Sequence, residues 1–413
     1  MGNIYTSIDL GTDNIKVLVV EKHNDNYNIL TSVSSPSKGI SDGGIVDIKE
    51  CVSSVKKALK KANDMLGTKI TKVIACVSPA HCNFDIAIGS VDVEDYNKIT
   101  GNDISNVLRD AVINQIDEEH ELITAVPISF TIDDEENIKD PKGLKGKVLE
   151  TKIVLATSPK EELYRILEVL KLSGVEAIDV AFTSTGDYYS IKNSKRDKEA
   201  GAIVNIGENT TNISIFNKGI QIKNKTINLG SINVDRDLSF VFNIDIETAK
   251  IVKETFAISM EAYADINDTR EVRTKDESVK EIDQVEVSKV VESRLVEILN
   301  LVKKEIKNLT NREIRYIIIT GGLSELAGFQ YIVDEELGFK AKVCNITAVG
   351  IRHNKYSSVY GTVKYFDDKM NLRGKNTTMI SPDSMKSIIN TEEKIVNNNT
   401  NIISKVFGHF FDN

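Results

Sequence analysis

Two short segments, half a chain apart, share an order of residue types that suits anion binding. They are Ile8-Asp9-Leu10-Gly11-Thr12-Asp13-Asn14-Ile15-Lys16 and Val204-Asn205-Ile206-Gly207-Glu208-Asn209-Thr210-Thr211-Asn212-Ile213. Both run from an apolar strand through an acid or amide to a glycine, then through a short polar turn into another apolar strand, an internal repeat with one copy per half. Glycine lets backbone N–H groups approach an anion closely, threonine adds a hydroxyl donor, and a strand-end carboxylate can hold Mg²⁺ through its water shell. Either turn alone also fits an ordinary hairpin. As a pair, they point to two loops clamping the phosphates of one nucleotide. A third segment, Ile317-Ile318-Ile319-Thr320-Gly321-Gly322-Leu323-Ser324, runs an apolar strand into Gly-Gly before a helix, where a base or ribose can lie on bare backbone.

The elements that must position these turns follow from periodicity. Strands are predicted over 4–10, 15–21, 27–33 and 72–77. Val52, Val55, Leu59, Ala62 and Leu66 recur at helical spacing and predict a helix over 48–66. A different unit follows, with a helix over 103–117, strands over 122–132 and 151–157, and a charged Gly- and Pro-containing loop over 133–150. A helix over 160–172 turns Leu163, Ile166, Leu167 and Leu170 to one side. After a charged boundary at 192–199, the second half offers strands over 203–206, 211–217, 220–228 and 315–320, and helices over 246–255 and 285–306. From 371 to 400 the chain is rich in Asn, Ser, Thr and Lys, a composition that predicts disorder. At the end, Ile402, Ile403, Val406, Phe407, Phe410 and Phe411 fall on one half of a helical wheel, and Ser404, Lys405, Gly408, His409 and Asp412 on the other. Such a short amphipathic helix suits the surface of a membrane, or a groove on a protein.

With 413 residues the chain is long enough for two or more domains. Its net charge of −9 argues against a nucleic-acid partner, which requires clustered Lys and Arg. The four cysteines form no CxxC pair and predict reduced cytoplasmic thiols. The N-terminus lacks the pattern of a signal peptide, and no apolar run reaches spanning length, so membrane contact is expected to be peripheral.

Up to about residue 368, the paired turns and the Gly-Gly turn resemble the superfamily of actin, sugar kinases and heat-shock chaperone ATPases. That resemblance implies an α/β fold, the duplicated ribonuclease H-like architecture of actin, with two lobes around a cleft for ATP and Mg²⁺. It makes Asp9, Gly11, Thr12, Asn14 and Lys16 the first phosphate loop, with Asp9 holding Mg²⁺ through water. Asn205, Gly207, Asn209, Thr210 and Gly230 become the second, and Gly321, Gly322 and Ser324 line the adenosine. Ile246-Glu247-Thr248-Ala249-Lys250 is similar to the superfamily's Ala-Glu-x-x-Lys helix, which gives Glu247 and Lys250 the base and ribose. An exposed ion pair is the plainer alternative for these two.

Three further segments resemble the FtsA family of bacterial cell-division proteins. They are Pro36-Ser37-Lys38-Gly39-Ile40 with Gly43-Gly44-Ile45-Val46-Asp47, the stretch Asp140-Pro141-Lys142-Gly143-Leu144-Lys145-Gly146 after Ile132-Asp133 and Ile138, and the inserted unit itself. The terminal amphipathic segment fits as well. The implied layout is a first lobe over 1–82 and 160–196 carrying a small α+β insert over 83–159. The second lobe spans 197–236 and 308–370, with an outer subdomain over 237–307, a linker over 371–400 and a membrane helix over 401–413. The implied role is an ATP-binding scaffold that polymerises at the inner face of the membrane. There it anchors FtsZ by its C-terminal tail, with Arg294 as a carboxylate contact, and recruits later division proteins through the insert. A pilus-assembly scaffold or a phosphotransferase of the same superfamily is the alternative. The second turn departs from the superfamily's Asp-x-Gly-Gly-Gly-Thr-x-Asp: it has amides at Asn205 and Asn212, and Glu208 and Asn209 replace glycines. An amide is a weak Mg²⁺ ligand and no base. No catalytic acid is recognised over 181–186, so at most weak ATP hydrolysis is expected.

Overall fold

The computed structural model describes residues 2–24, 26–41, 43–113, 115–372 and 377–380. β1 (Asn3–Leu10) is buried on both faces, as a strand covered by helices on each side must be. It pairs antiparallel with β2 (Asn14–His23), which pairs antiparallel with β3 (Asn26–Pro36). A small hairpin, β4 (Ile40–Ser41) and β5 (Gly44–Ile45), leads to α1 (Ile48–Leu66). That helix starts where Asp47 accepts from the Glu50 N–H and stops at Gly67, whose φ of 73° suits a residue without Cβ. β6 (Lys72–Val77) then lies parallel to β1.

The insert comprises β7 (Asn83–Asp92), α2 (Gly101–Val112), β8 (His120–Ile132), β9 (Glu135–Ile138) and β10 (Val148–Pro159), with sheet order β7-β10-β8-β9. Two expectations change here. The helix ends at Val112 rather than 117, because the Asp117 carboxylate accepts from the N–H groups of Glu119 and His120, forming a turn that competes with the helix. The stretch 133–150 is not all loop: Asp133, at φ 51°, turns the chain so that β9 pairs back on β8.

α3 (Lys160–Leu172), β11 (Glu176–Phe182) and α4 (Thr183–Ile191) complete the first half. The second opens with β12 (Ala200–Ile206), β13 (Thr211–Asn217) and β14 (Ile220–Ile227). Next come α5 (Ser231–Phe242), α6 (Ile246–Thr255), the hairpin β15 (Thr269–Arg273) and β16 (Val279–Asp283), and α7 (Gln284–Leu309). β17 (Tyr316–Thr320), α8 (Phe329–Leu337), β18 (Ala341–Val343) and α9 (Ser357–Leu372) follow. The two sheets, β11-β6-β1-β2-β3 and β14-β13-β12-β17-β18, have matching pairings: β12 is antiparallel to β13 and parallel to β17, as β1 is to β2 and β6. Duplication in the sequence is therefore duplication in the fold.

Helices α1 and α3 cover the outer face of the first sheet, packing Val55, Leu59, Leu163 and Leu167 on Ile8 and Val17. On the second sheet, Leu238, Val291 and Leu295 play the same part against Val204 and Ile213. A third core lies between the lobes. There α4 and α9 bring Tyr188, Val359 and Val363 together with Tyr5, Leu18 and Ile74 of one sheet and Ile203, Phe216 and Ile318 of the other. The backbones of α4 and α9 nearly touch: a Cβ on Gly361 would sit 1.7 Å from the Gly186 carbonyl oxygen. No residue other than glycine fits this crossing without shifting a helix.

Two pieces of the span 371–400, where disorder is expected, are described. α9 runs to Leu372, and 378–380 return to β1, where Met379 N–H donates to the Ile4 carbonyl at 2.8 Å and Ile380 is buried in the first core. The backbone pairing and burial outweigh the polar composition on which disorder was expected. The rest of that linker, and the amphipathic segment with Ile402, Ile403, Val406, Phe407, Phe410 and Phe411, lie outside the described residues.

Candidate functional site

Both turns close the same way. Gly11 N–H donates to the Asn14 carbonyl at 3.2 Å, and Gly207 N–H to the Thr210 carbonyl at 2.9 Å. Equivalent strand positions pair Asp9 with Lys16 and Asn205 with Asn212. Thr12 and Asp13 lie in the first turn, as Glu208 and Asn209 do in the second.

In the first turn the Lys16 ammonium is 2.7 Å from Asp9 Oδ2, both largely buried. Burial disfavours that ammonium, but Asp9 beside it and Asp187 beyond outweigh the penalty and raise its pKa. Lys16 therefore stays charged in the first turn. The second turn is braced by α5, whose Ser231 and Ile232 N–H groups donate to the carbonyls of Gly207 and Glu208, each at 2.9 Å. This contact needs a bare backbone at Gly230, where a Cβ would sit 2.3 Å from the Glu208 carbonyl oxygen. Behind it, the Lys253 ammonium of α6 is 2.7 Å from Asp235 of α5, and both side chains are buried.

One turn earlier on α6, Lys250 reaches both loops. Its ammonium is 2.5 Å from Asp13 of the first turn and 3.7 Å from Glu208 of the second. Glu208 thus points inward, not out to solvent. Its pKa is raised, first by burial and then by Asp13. Glu247 sits exposed in the first turn of α6 and has no link to Lys250 of the kind an exposed ion pair would make; Lys250 is engaged by Asp13 instead.

The Gly-Gly turn leaves β17 beside the second loop. Gly321 has φ 95°, and a Cβ there would meet the Ile206 carbonyl oxygen at 2.3 Å and Asn205 Oδ1 at 2.8 Å. A Cβ on Gly322 would meet nothing within 4 Å, which leaves open space above the backbone. Ser324 is buried, with its hydroxyl donating to the Gly321 carbonyl at 2.8 Å. It shapes the turn from below.

Sequence reasoning missed Asp187. It lies on α4, one residue past the segment searched for an acid, and its carboxylate is buried between the lobes. Asn205 Nδ2 donates to its Oδ2 at 2.7 Å, and the hydroxyls of Ser357 and Ser358 donate to its Oδ1. Burial raises its pKa, against the lowering effect of these three donors. Nothing in the local sequence marks it, because its partners come from β12 and α9.

Arg294, on α7, is already paired. Its guanidinium forms a fork with Asp237 of α5 at 2.6 and 2.9 Å and also contacts Glu297.

Residues 202–361 match the family model described as "Cell division protein FtsA", and residues 80–157 match "SHS2 domain inserted in FTSA". The chain belongs to the FtsA family. The cell division protein FtsA of Bacillus subtilis is 28% identical over 92% of this chain and 87% of its own length. Those of Streptococcus pneumoniae and Escherichia coli K12 are 26% and 24% identical, over 86% and 88% of this chain and 78% and 90% of their own. Among solved structures, the PilM–PilN type IV pilus biogenesis complex aligns over 90% of this chain and 99% of its own, with TM-score 0.61 at 14% identity. MreB5 of Spiroplasma citri bound to ADP aligns over 90% and 98%, with TM-score 0.54 at 14% identity. These likenesses establish the actin-like two-lobe fold, and the FtsA-family match makes this an actin-like cell-division protein. Among the described residues, no helix is long and apolar enough to cross a membrane.

Proposed function

We propose that this FtsA-family protein binds ATP with Mg²⁺ between its lobes, forms filaments with its own copies at the inner face of the cell membrane, and holds FtsZ there. The observation that carries the nucleotide reading is the convergence of the two turns on Lys250, with Lys16 charged in the first. Cationic side chains and glycine backbones at facing turns suit a polyphosphate. Asp9 is the strand-end carboxylate that would hold Mg²⁺ through water, and the metal would neutralise phosphate charge. Asn205 and Asn212 give the second turn no base, which supports slow turnover or none. Titration calorimetry of the full chain with Mg–ATP tests this reading; no heat of binding under any condition sinks it.

The docking reading rests on Arg294. A carboxylate from the FtsZ tail would replace Asp237 in the fork on the outer subdomain. Arg294→Glu is expected to weaken tail binding by about one to two orders of magnitude. Unchanged affinity would place the docking site elsewhere. Membrane attachment rests on the apolar half-wheel of 402–411 in the sequence. Liposome flotation should be abolished by truncation before Asn401, with ATP binding intact, and equal flotation of the truncated and full chains removes that anchor from the account.

A further inference from the structure

The two loops are built alike yet their strand-end residues are held differently. Asp9 is paired with a cation of its own hairpin, Lys16. Asn205, at the matching position, is held by an anion from another element, Asp187 of α4. Nδ2 of Asn205 donates to that carboxylate while its Oδ1 lies against Gly321. The amide therefore has a fixed sense, bridging the second phosphate turn and the Gly-Gly turn. A polar path continues from Asp187 through Ser357 to Thr320, whose hydroxyls are 2.8 Å apart, and Thr320 is the cross-strand neighbour of Asn205. Asp187 also sits next to Gly186, at the backbone contact between α4 and α9.

We propose that Asp187 is a positioning residue for the second half of the nucleotide site: it locks the Asn205 amide so that the second phosphate turn and the Gly-Gly turn keep one spacing, and it ties both to the α4–α9 crossing. This rests on the nucleotide reading above. Asp187 is buried and fully engaged with its donors, so it acts through Asn205 and not on the nucleotide itself. Removing the acceptor leaves a half-buried amide free to rotate and withdraws the constraint on Gly321.

The test is a mutant cycle on the full chain, read by calorimetric titration with Mg–ATP. Asp187→Asn keeps an acceptor for Asn205, and affinity should stay within about threefold of the parent; Asp187→Ala and Asn205→Ala should each weaken it about tenfold. The double variant should be no weaker than either single, because both act through one contact. A residue that only supports packing would lower the melting temperature and leave the affinity unmoved, or its effect would multiply with Asn205→Ala; either result overturns the proposal. Should Asp187→Ala fail to fold, Asp187→Leu, which fills the space but offers Asn205 no acceptor, takes its place in the cycle, and parental affinity there overturns the proposal too. A parent that does not bind Mg–ATP overturns the nucleotide reading and this inference together, whereas a parent that binds beside a Asp187→Ala that binds equally overturns the inference alone.

Discussion

Lys250 of the second lobe holds Asp13 of the first at 2.5 Å, so a single ammonium spans the space between the two glycine turns. Glu208 shares it from the other side at 3.7 Å. On the nucleotide reading proposed above, an incoming polyphosphate would meet these two carboxylates where it needs donors. A divalent cation would relieve that repulsion.

The first prediction follows from this arrangement. ATP should bind the parent far more weakly in EDTA than with Mg²⁺. Asp13→Asn or Glu208→Gln should strengthen metal-free binding by about tenfold and shrink the dependence on Mg²⁺. Calorimetry in both buffers measures it, and a parent indifferent to Mg²⁺ would contradict the charge argument.

A second prediction concerns the brace behind the second turn. Lys253 and Asp235 are buried together at 2.7 Å. Asp235→Ala strands a buried ammonium and should cost about 3–5 kcal/mol in urea unfolding. Replacing both by apolar residues should recover much of this loss. Equal stability of Asp235→Ala and parent would show that Lys253 finds water or another partner.

The third prediction is a pH dependence. Burial raises the Asp187 pKa above that of an unfolded carboxyl, so the folded chain holds this proton more tightly. Its contribution to stability is present in full below the unfolded value of about 4 and is lost as pH rises through the higher folded value. Asp187→Asn lacks this loss. The stability of Asp187→Asn relative to the parent should therefore grow as pH rises from about 4, then level off. Urea melts across that range give the slope, and a flat difference would mean that Asp187 has the same pKa folded and unfolded.

Much of the frame was legible because it is periodic. The apolar face of α1, with Asp47 before it and Gly67 after, fixes both ends of the helix. The paired turns were legible because each is local, a strand, a glycine and a strand. What was hidden depends on distant contacts. α4 reads Thr183-Ser184-Thr185-Gly186-Asp187-Tyr188-Tyr189-Ser190-Ile191, with no apolar stripe, since it is packed between two sheets and against α9. Asp187 has meaning only beside Asn205, Ser357 and Ser358, which the sequence sets far apart. Resemblance assigns Lys250, with Glu247, to the base and ribose, with an exposed ion pair as the alternative; in the structure its ammonium is held by acids of the two turns, which spacing along one helix cannot reveal.

The return of 378–380 to β1 has a mechanical consequence. Ile4 N–H donates to Thr378 Oγ1 at 3.0 Å, Met379 N–H donates to the Ile4 carbonyl, and Ile380 is buried behind them. A load applied to the chain at Ile380 would be delivered to the start of β1, whose other end carries Asp9 and leads into Gly11. Tension from outside and the grip on a nucleotide would act on opposite ends of one stiff rod.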